Sequence, residues 1–365
     1  MSFSADYVPA RRRFRDGARR LGWTTDQCPI EARDAGDLTI DVAISPSISA
    51  DTVLVVSSGL HGIEGPFGSA VQAACLERWH DAPGPLANVR CVFLHALNPF
   101  GFATSRRFDG DNVDVNRNFM DWDAAPSGGS ELYRRFDPLL NPRRAPSRWD
   151  TFRARGLWYI ARYGRPALKQ ALVTGQYDFP KGLFFGGHGP SPTLQALQSR
   201  MGAWIGRAGQ VVHLDFHTGL GVWATYKLIT DTPLGDAQRQ RLTRWFGAGS
   251  FEEHDPRGVA YRARGSFGQW CVARRFAPDY LFLFAEFGTY GNLSVLAGLR
   301  AENQAHHWGR PDDAATIRAK RRLRDLFYPS STEWRSRTLA AGVALVEGAA
   351  RGLHDGIDHR SIDDR

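Results

Sequence analysis

Three residues set the first chemical possibility in this 365-residue chain: His61 and Glu64 in "GLHGIEG", and His217 in "HLDFHTG". Two imidazoles and one carboxylate are the ligand set by which catalytic zinc is commonly held, with a fourth position left for water. H-x-x-E alone is a weak signal. Its position strengthens it here, because it follows the apolar run "DTVLVVSS" and has glycine on both sides to relax the backbone. His217 taken singly reads more readily as a core histidine or a helix cap. In a strand, however, His213, Asp215 and His217 share one face. A polar row inside an apolar run costs stability unless partners or a metal satisfy it. His217, nearest the end of the run, is the better ligand, and His213 reads as structural.

Two further stretches carry chemistry. Glu286 is a carboxylate appended to "YLFLFAEFGTYG", one of the most apolar runs of the chain. It is either paired with a buried arginine or held at a raised pKa, ready to take a proton from water and pass it on. In "RRFDGDNVDVNRNF", residues 106–119, the aspartates Asp109, Asp111 and Asp114 lack the glycine and the distal glutamate of a calcium loop. Arg117 beside Asn116 offers a planar fork and an amide, a pairing suited to a carboxylate. A surface salt-bridge cluster accounts for the same stretch.

These residues need elements to position them. Short runs rich in Val, Phe and Leu at 52–59, 89–98, 210–219, 225–230 and 280–291 read as strands. Helix-like segments lie between and after them at 66–80, about 190–207, 235–247 and 333–352. The alternation predicts an α/β fold: a mixed, mostly parallel central sheet with helices on both faces. Ligands of open α/β sheets bind beyond the carboxyl ends of the strands, so parallel neighbours bring His61, Glu64, His217 and Glu286 to one cleft. Residues 121–190 hold most of the Pro, Gly and aromatic punctuation, with one helix candidate around 151–173. They read as an elaborated insertion in a single domain spanning 1–365.

Composition narrows the class of function. With 42% hydrophobic and 23% charged residues the chain has the profile of a soluble globular protein. The formal charge of +8 invites nucleic acid as a partner, but the arginines are dispersed, clustering only at 11–13 and 318–324. A preference for small anionic substrates explains the charge, and no nucleic-acid partner is expected. No apolar run reaches the length of a membrane span and the first residues lack the apolar centre of a signal peptide, so no membrane partner and a cytoplasmic location are expected. Cys28, Cys75, Cys91 and Cys271 show no paired spacing and read as reduced, mostly buried thiols.

With these motifs in order, the chain resembles the zinc carboxypeptidase superfamily, and within it the succinylglutamate desuccinylase/aspartoacylase-like branch, over residues 50–300. "HGIEG" resembles the superfamily's H-x-x-E, "VDVNRNF" its D-x-N-R segment, "DFHTG" the D-x-H segment of the branch, and "AEFG" the segment of the catalytic carboxylate. The resemblance implies a carboxypeptidase-like fold and one zinc ion per chain on His61, Glu64 and His217. It implies Asp114 as the residue that orients a ligand histidine, Asn116 and Arg117 as the grip on a substrate carboxylate, and Glu286 as the catalytic carboxylate. Arg106 or Arg107, with Arg107 favoured, would polarise the scissile carbonyl, and Tyr290 is the candidate for the tyrosine over the substrate. The implied activity is zinc-dependent hydrolysis of an amide bond next to a free carboxylate, by a carboxypeptidase or by an N-acyl amino acid deacylase. A basic nucleic-acid-binding or scaffold protein with a dead site is the alternative outside enzymes. The long segment between Asn118 and His213 departs from the branch and leaves the substrate open, as the sequence leaves the oligomeric state.

Overall fold

Every side chain from Thr52 to Ser58 is buried, as is every one from Gln210 to Thr218. That is the pattern of strands covered on both faces. The computed structural model describes the chain apart from residues 1, 2, 5, 32–35, 47–50, 83–87, 125–127, 148, 254–263 and 364–365, and apart from the side chains of 153, 165 and 357–363. Its strands are β1 (Thr24–Pro29), β2 (Thr39–Ile44), β3 (Thr52–Ser58), β4 (Arg90–His95), β5 (Gln210–Thr218), β6 (Tyr226–Thr230), β7 (Phe251–Glu253) and β8 (Asp279–Phe287). They form one sheet in the order β1-β2-β4-β3-β5-β8-β6-β7. The centre, β4-β3-β5-β8, is parallel. The joins of β1 with β2, β2 with β4 and β6 with β8 are antiparallel.

Alternate residues of these strands feed two apolar layers. Leu54, Val56, Phe93, Leu214, Phe216, Leu283 and Phe287 meet residues of the helices Tyr7–Arg20, Gly65–Asp81 and Thr332–Asp363 on one face. Val53, Val55, Leu94, Val211, Tyr280 and Phe282 meet the helices Pro192–Ile205 and Phe267–Ala273 on the other. His213, Asp215 and His217 lie in phase with Val211, on the second face. The four cysteines are buried and unpaired, as expected. Among the described residues no helix is long and apolar enough to cross a membrane.

The structure adds to the expected elements. β1, β2 and β7 extend the sheet at both edges, and an N-terminal helix opens at Asp6, whose side chain accepts from the Val8 N–H. Within 121–190 the expected helix at 151–173 is two helices, Phe152–Tyr163 and Arg165–Val173, divided at Gly164 with φ +80°. A further helix, Glu131–Leu140, precedes them.

Candidate metal centre

β3 ends at Ser58, and the chain turns through Gly59, at φ +68°, into a single 3-10 turn, Gly62–Glu64. Only glycine fits at 62: a Cβ there would lie 2.2 Å from the Gly101 carbonyl carbon. This backbone approach fixes the loop that presents His61 and Glu64. β5 presents His217 one strand away, and the parallel register pairs His217 directly with Glu286 of β8. The convergence expected from the strand ends is therefore set by sheet register.

One ligand atom from each of His61, Glu64 and His217 lies within 4.8 Å of the others, and all three residues are buried. His61 Nδ1 is 3.0 Å from Glu64 Oε1, and His217 Nδ1 is 3.0 Å from Glu64 Oε2. Both imidazoles thus turn Nδ1 to the centre, and their Nε2 atoms meet carboxylates behind. His217 Nε2 is 2.6 Å from Asp215 Oδ2, and His61 Nε2 is 3.3 Å from Asp114 Oδ1. Backing of this kind fixes a metal-binding tautomer and raises ligand basicity. Ser57 Oγ donates to Asp215 Oδ1 at 2.6 Å, which holds that carboxylate in turn.

The donor set fits a divalent zinc ion: two imidazole nitrogens and one carboxylate, with open coordination left over. A buried atom supports the fit. Asp114 Oδ1 has no hydrogen-bond partner and stands 3.3 Å behind His61 Nε2, which accepts from Arg107 Nη2 at 2.7 Å. Burial raises the Glu64 carboxyl, but His61 and His217 outweigh it and hold the group well below the usual carboxylate range. Asp114, raised by burial, is likewise held low by the Arg107 and Arg117 charges.

Arg107 belongs to the same cluster. Its Nε donates to Asp114 Oδ2 at 3.0 Å, Nη2 lies 2.7 Å from His61 Nε2, and Nη1 is 3.6 Å from Glu64 Oε1. Arg106 points elsewhere. It is fully buried, with Nε donating to Glu302 Oε1 at 3.0 Å and Nη2 to Asn112 Oδ1 at 2.8 Å. Of the two adjacent arginines the structure brings only Arg107 to the cluster. Arg106 serves a buried ion pair whose disruption costs about 3–5 kcal/mol. Tyr290 also lies apart, its hydroxyl donating to Asp325 Oδ2 at 3.1 Å and its ring packed edge-on against Trp223.

Glu286 is the most accessible of the four buried, converging side chains, at 9% against 5% for His61, 2% for Glu64 and 3% for His217. Its Oε1 accepts from the Leu220 N–H at 2.9 Å, and among the described residues it makes no ion pair with an arginine. Burial and the neighbouring Glu64 charge push its pKa up to about 8. The buried-pair alternative gives way to a carboxylate held by a backbone N–H beside the ligands.

The surface-cluster alternative for 106–119 also falls, because Asp109, Asp114 and Arg117 are buried. Asp109 Oδ1 accepts from the Asp111 and Val113 N–H groups and so shapes the loop. Arg117 has no exposed surface and is framed closely: a Cβ at Gly175 would lie 2.9 Å from its Cδ. Its carbonyl accepts from the Tyr177 hydroxyl at 2.8 Å. Asn116 Oδ1 accepts from the Phe267 N–H at 2.9 Å and so anchors the helix that begins there. The stretch "GQYDFPKGLFFGG" wraps this loop, with the Phe185 carbonyl accepting from Asp114 N–H at 2.7 Å and the Phe184 ring 5.6 Å from the Arg107 guanidinium. His213 is structural as expected, bonded to Ser57 Oγ and to the Tyr280 hydroxyl.

The sequence reading placed Asp215 on the ligand face but gave it no task. The D-x-H spacing carried the signal, since residues two apart on a strand point the same way. Asp215→Asn should lower metal affinity by about 10–100-fold. The check is a chelator competition titration, with the unchanged far-UV spectrum as the folding control.

Comparison with known proteins comes from sequence and from fold. A family model described as "Protein of unknown function (DUF2817)" matches residues 3–341. The chain belongs to this family. No curated protein matches the sequence at a significant level. Among solved structures, this DUF2817 chain is similar to bovine thrombin-activatable fibrinolysis inhibitor in complex with tick carboxypeptidase inhibitor. The TM-score is 0.51 at 10% identity, covering 97% of this chain and 98% of that one. It is similar to a metallo-carboxypeptidase from Burkholderia cenocepacia with TM-score 0.51 at 11% identity, covering 94% of this chain and 68% of that one. The DUF2817 chain therefore has the fold of the zinc carboxypeptidase superfamily, as the motifs led one to expect. The likeness does not single out the desuccinylase/aspartoacylase-like branch.

Proposed function

We propose that this protein is a zinc-dependent hydrolase that cleaves an amide bond next to a free carboxylate, in the manner of a carboxypeptidase. The observation that carries the proposal is the convergence of His61, Glu64 and His217, each histidine backed by its own carboxylate, beside a Glu286 set by strand register. His61, Glu64 and His217 would hold zinc, which would supply a Lewis acid and a water of lowered pKa. Glu286 takes the proton of the attacking water and returns it to the leaving nitrogen. Arg107 donates N–H to the carbonyl oxygen as negative charge develops there. Asp114 and Asp215 hold the imidazoles in place, and Asn116 with Arg117 receives the substrate carboxylate.

The likeness of fold to metallocarboxypeptidases supports a peptide substrate. N-acyl amino acid deacylation is the second reading, supported by the D-x-N-R and D-x-H segments around Arg117 and His217. Peptides and N-acyl amino acids assayed side by side separate the two. A protein that binds about one zinc per chain and turns over neither series would be a scaffold with a dead site.

Arg117 decides the substrate class. A guanidinium forms two parallel charge-assisted hydrogen bonds with a carboxylate, and an unpaired buried partner costs several kcal/mol. Substrates with a free carboxylate should outrun their amides. Arg117→Lys, which keeps the charge and loses the fork, should lower kcat/KM by about tenfold or more, and Arg117→Ala should also erase the preference for acid over amide. Equal cleavage of an acid and its amide by the wild-type protein would remove the clamp from the proposal.

A further inference from the structure

The insertion concentrates the charge of the molecule. Residues 143–177 contain seven arginines and one lysine against a single aspartate, a net +7 where the whole chain carries +8. The one aspartate, Asp150, is already matched: Arg300 Nη1 donates to it at 2.8 Å. Arg143, Arg144, Arg155 and Arg162 are exposed.

The helix Phe152–Tyr163 carries two apolar stripes. Phe152, Tyr159 and Tyr163 face inward, the two tyrosine rings meeting Phe136 at 4.6 and 5.8 Å. Ala154, Leu157, Trp158 and Ala161 recur at the spacing of a second helical face, and all four are exposed. Leu157 and Trp158 each keep 60% of their surface, and Trp149, just ahead of the helix, keeps 78%. An apolar stripe with indole and aliphatic groups, flanked by Arg155 and Arg162, is the composition of a helix that lies in a lipid interface.

We infer that the Phe152–Tyr163 helix docks this protein on an anionic lipid bilayer, with Leu157 and Trp158 in the headgroup boundary and the surrounding arginines on lipid phosphates. Charge selects this occupant. A second copy would set one +7 segment against another, whereas a negative leaflet attracts each Lys or Arg near its surface. The stripe is also partly aliphatic, which suits insertion better than the stacking of bases along a nucleic-acid strand. The expectation of no membrane partner was drawn from spanning segments and does not bear on surface docking. The same insertion reaches the candidate metal centre through Phe184 and Phe185.

The test is co-flotation of the full-length protein with vesicles of phosphatidylcholine alone and of phosphatidylcholine with 30% phosphatidylglycerol, at low and high salt. Flotation is expected with the anionic vesicles only, falling as salt rises. Arg155→Glu with Arg162→Glu should lower the partition coefficient by about tenfold or more, and Leu157→Ser with Trp158→Ser by about tenfold or more. The two double variants alter different chemistry, so a folding defect in one, seen in its far-UV spectrum, leaves the other decisive. Absence of flotation with anionic vesicles overturns the inference, as does wild-type flotation by well-folded variants. Binding of a single-stranded oligonucleotide, or self-association through the stripe, without vesicle binding would overturn it as well.

Discussion

Glu286→Gln should keep its zinc and its affinity for substrate while losing about two to four orders of magnitude in kcat. The substitution preserves the shape of the side chain, and an amide oxygen still accepts from the Leu220 N–H as the carboxylate does at 2.9 Å. What disappears is the ability to accept a proton. Single-turnover rates with metal content measured on the same sample make the comparison, and an unchanged kcat would place the base on another residue. The pH profile carries the same information. The carboxylate is raised to about 8 by burial and by Glu64, and it works only in its deprotonated form. Activity should therefore rise with pH through the Glu286 pKa and fall away below it. A bound cation favours the carboxylate, so the acid limb of kcat/KM should lie below 8 in the zinc-loaded enzyme. The variant should lack that limb.

His61→Ala and His217→Ala should each reduce zinc from about one ion per chain to a residual trace and abolish turnover. Each change removes a ligand and also a neighbour of a buried carboxylate. Without His217, Asp215 loses its 2.6 Å partner and keeps only Ser57. Without His61, Asp114 retains only Arg107 and the Arg117 charge. An unsatisfied buried polar group costs about 1–3 kcal/mol, so a modest fall in melting temperature should accompany the metal loss. Elemental analysis after dialysis gives the answer. Full occupancy in both variants would move the metal elsewhere, and occupancy without turnover would separate the site from the activity.

Much of this centre was legible because its members stand at the ends of long apolar runs. A histidine or glutamate after six buried residues is conspicuous, and β3, β5 and β8 are the three central strands on which His61, Glu64, His217 and Glu286 depend. β1 was hidden because most of its side chains are exposed, which erases the apolar signal. β2 was hidden by Asp41, a buried charge whose Oδ2 accepts from Arg11 Nε at 3.1 Å. That arginine sits in "ARRRFR", where a basic cluster and Pro9 masked the spacing of Tyr7, Ala10, Phe14 and Ala18, the buried side of a helix. The separate fates of Arg106 and Arg107 could not be read from a doublet, since they turn on Glu302 in a helix far along the chain. The contact of Gly62 with Gly101 likewise exists only once the two loops meet.

The Thr218 N–H donates to Glu64 Oε2 across 154 positions of sequence, and this spacing bears on when the three donors could hold a metal. During synthesis His61 and Glu64 leave the ribosome early, as two donors on an unsupported loop. The third donor appears only after the whole of residues 121–190 has been made, and β8, which sets Glu286, later still. Contacts so distant in sequence form slowly, because the chain between them must be ordered first. Capture of a metal at this centre would therefore be coupled to closure of the sheet between β3 and β5. A nascent chain halted before residue 210 would have a ligand pair without a site.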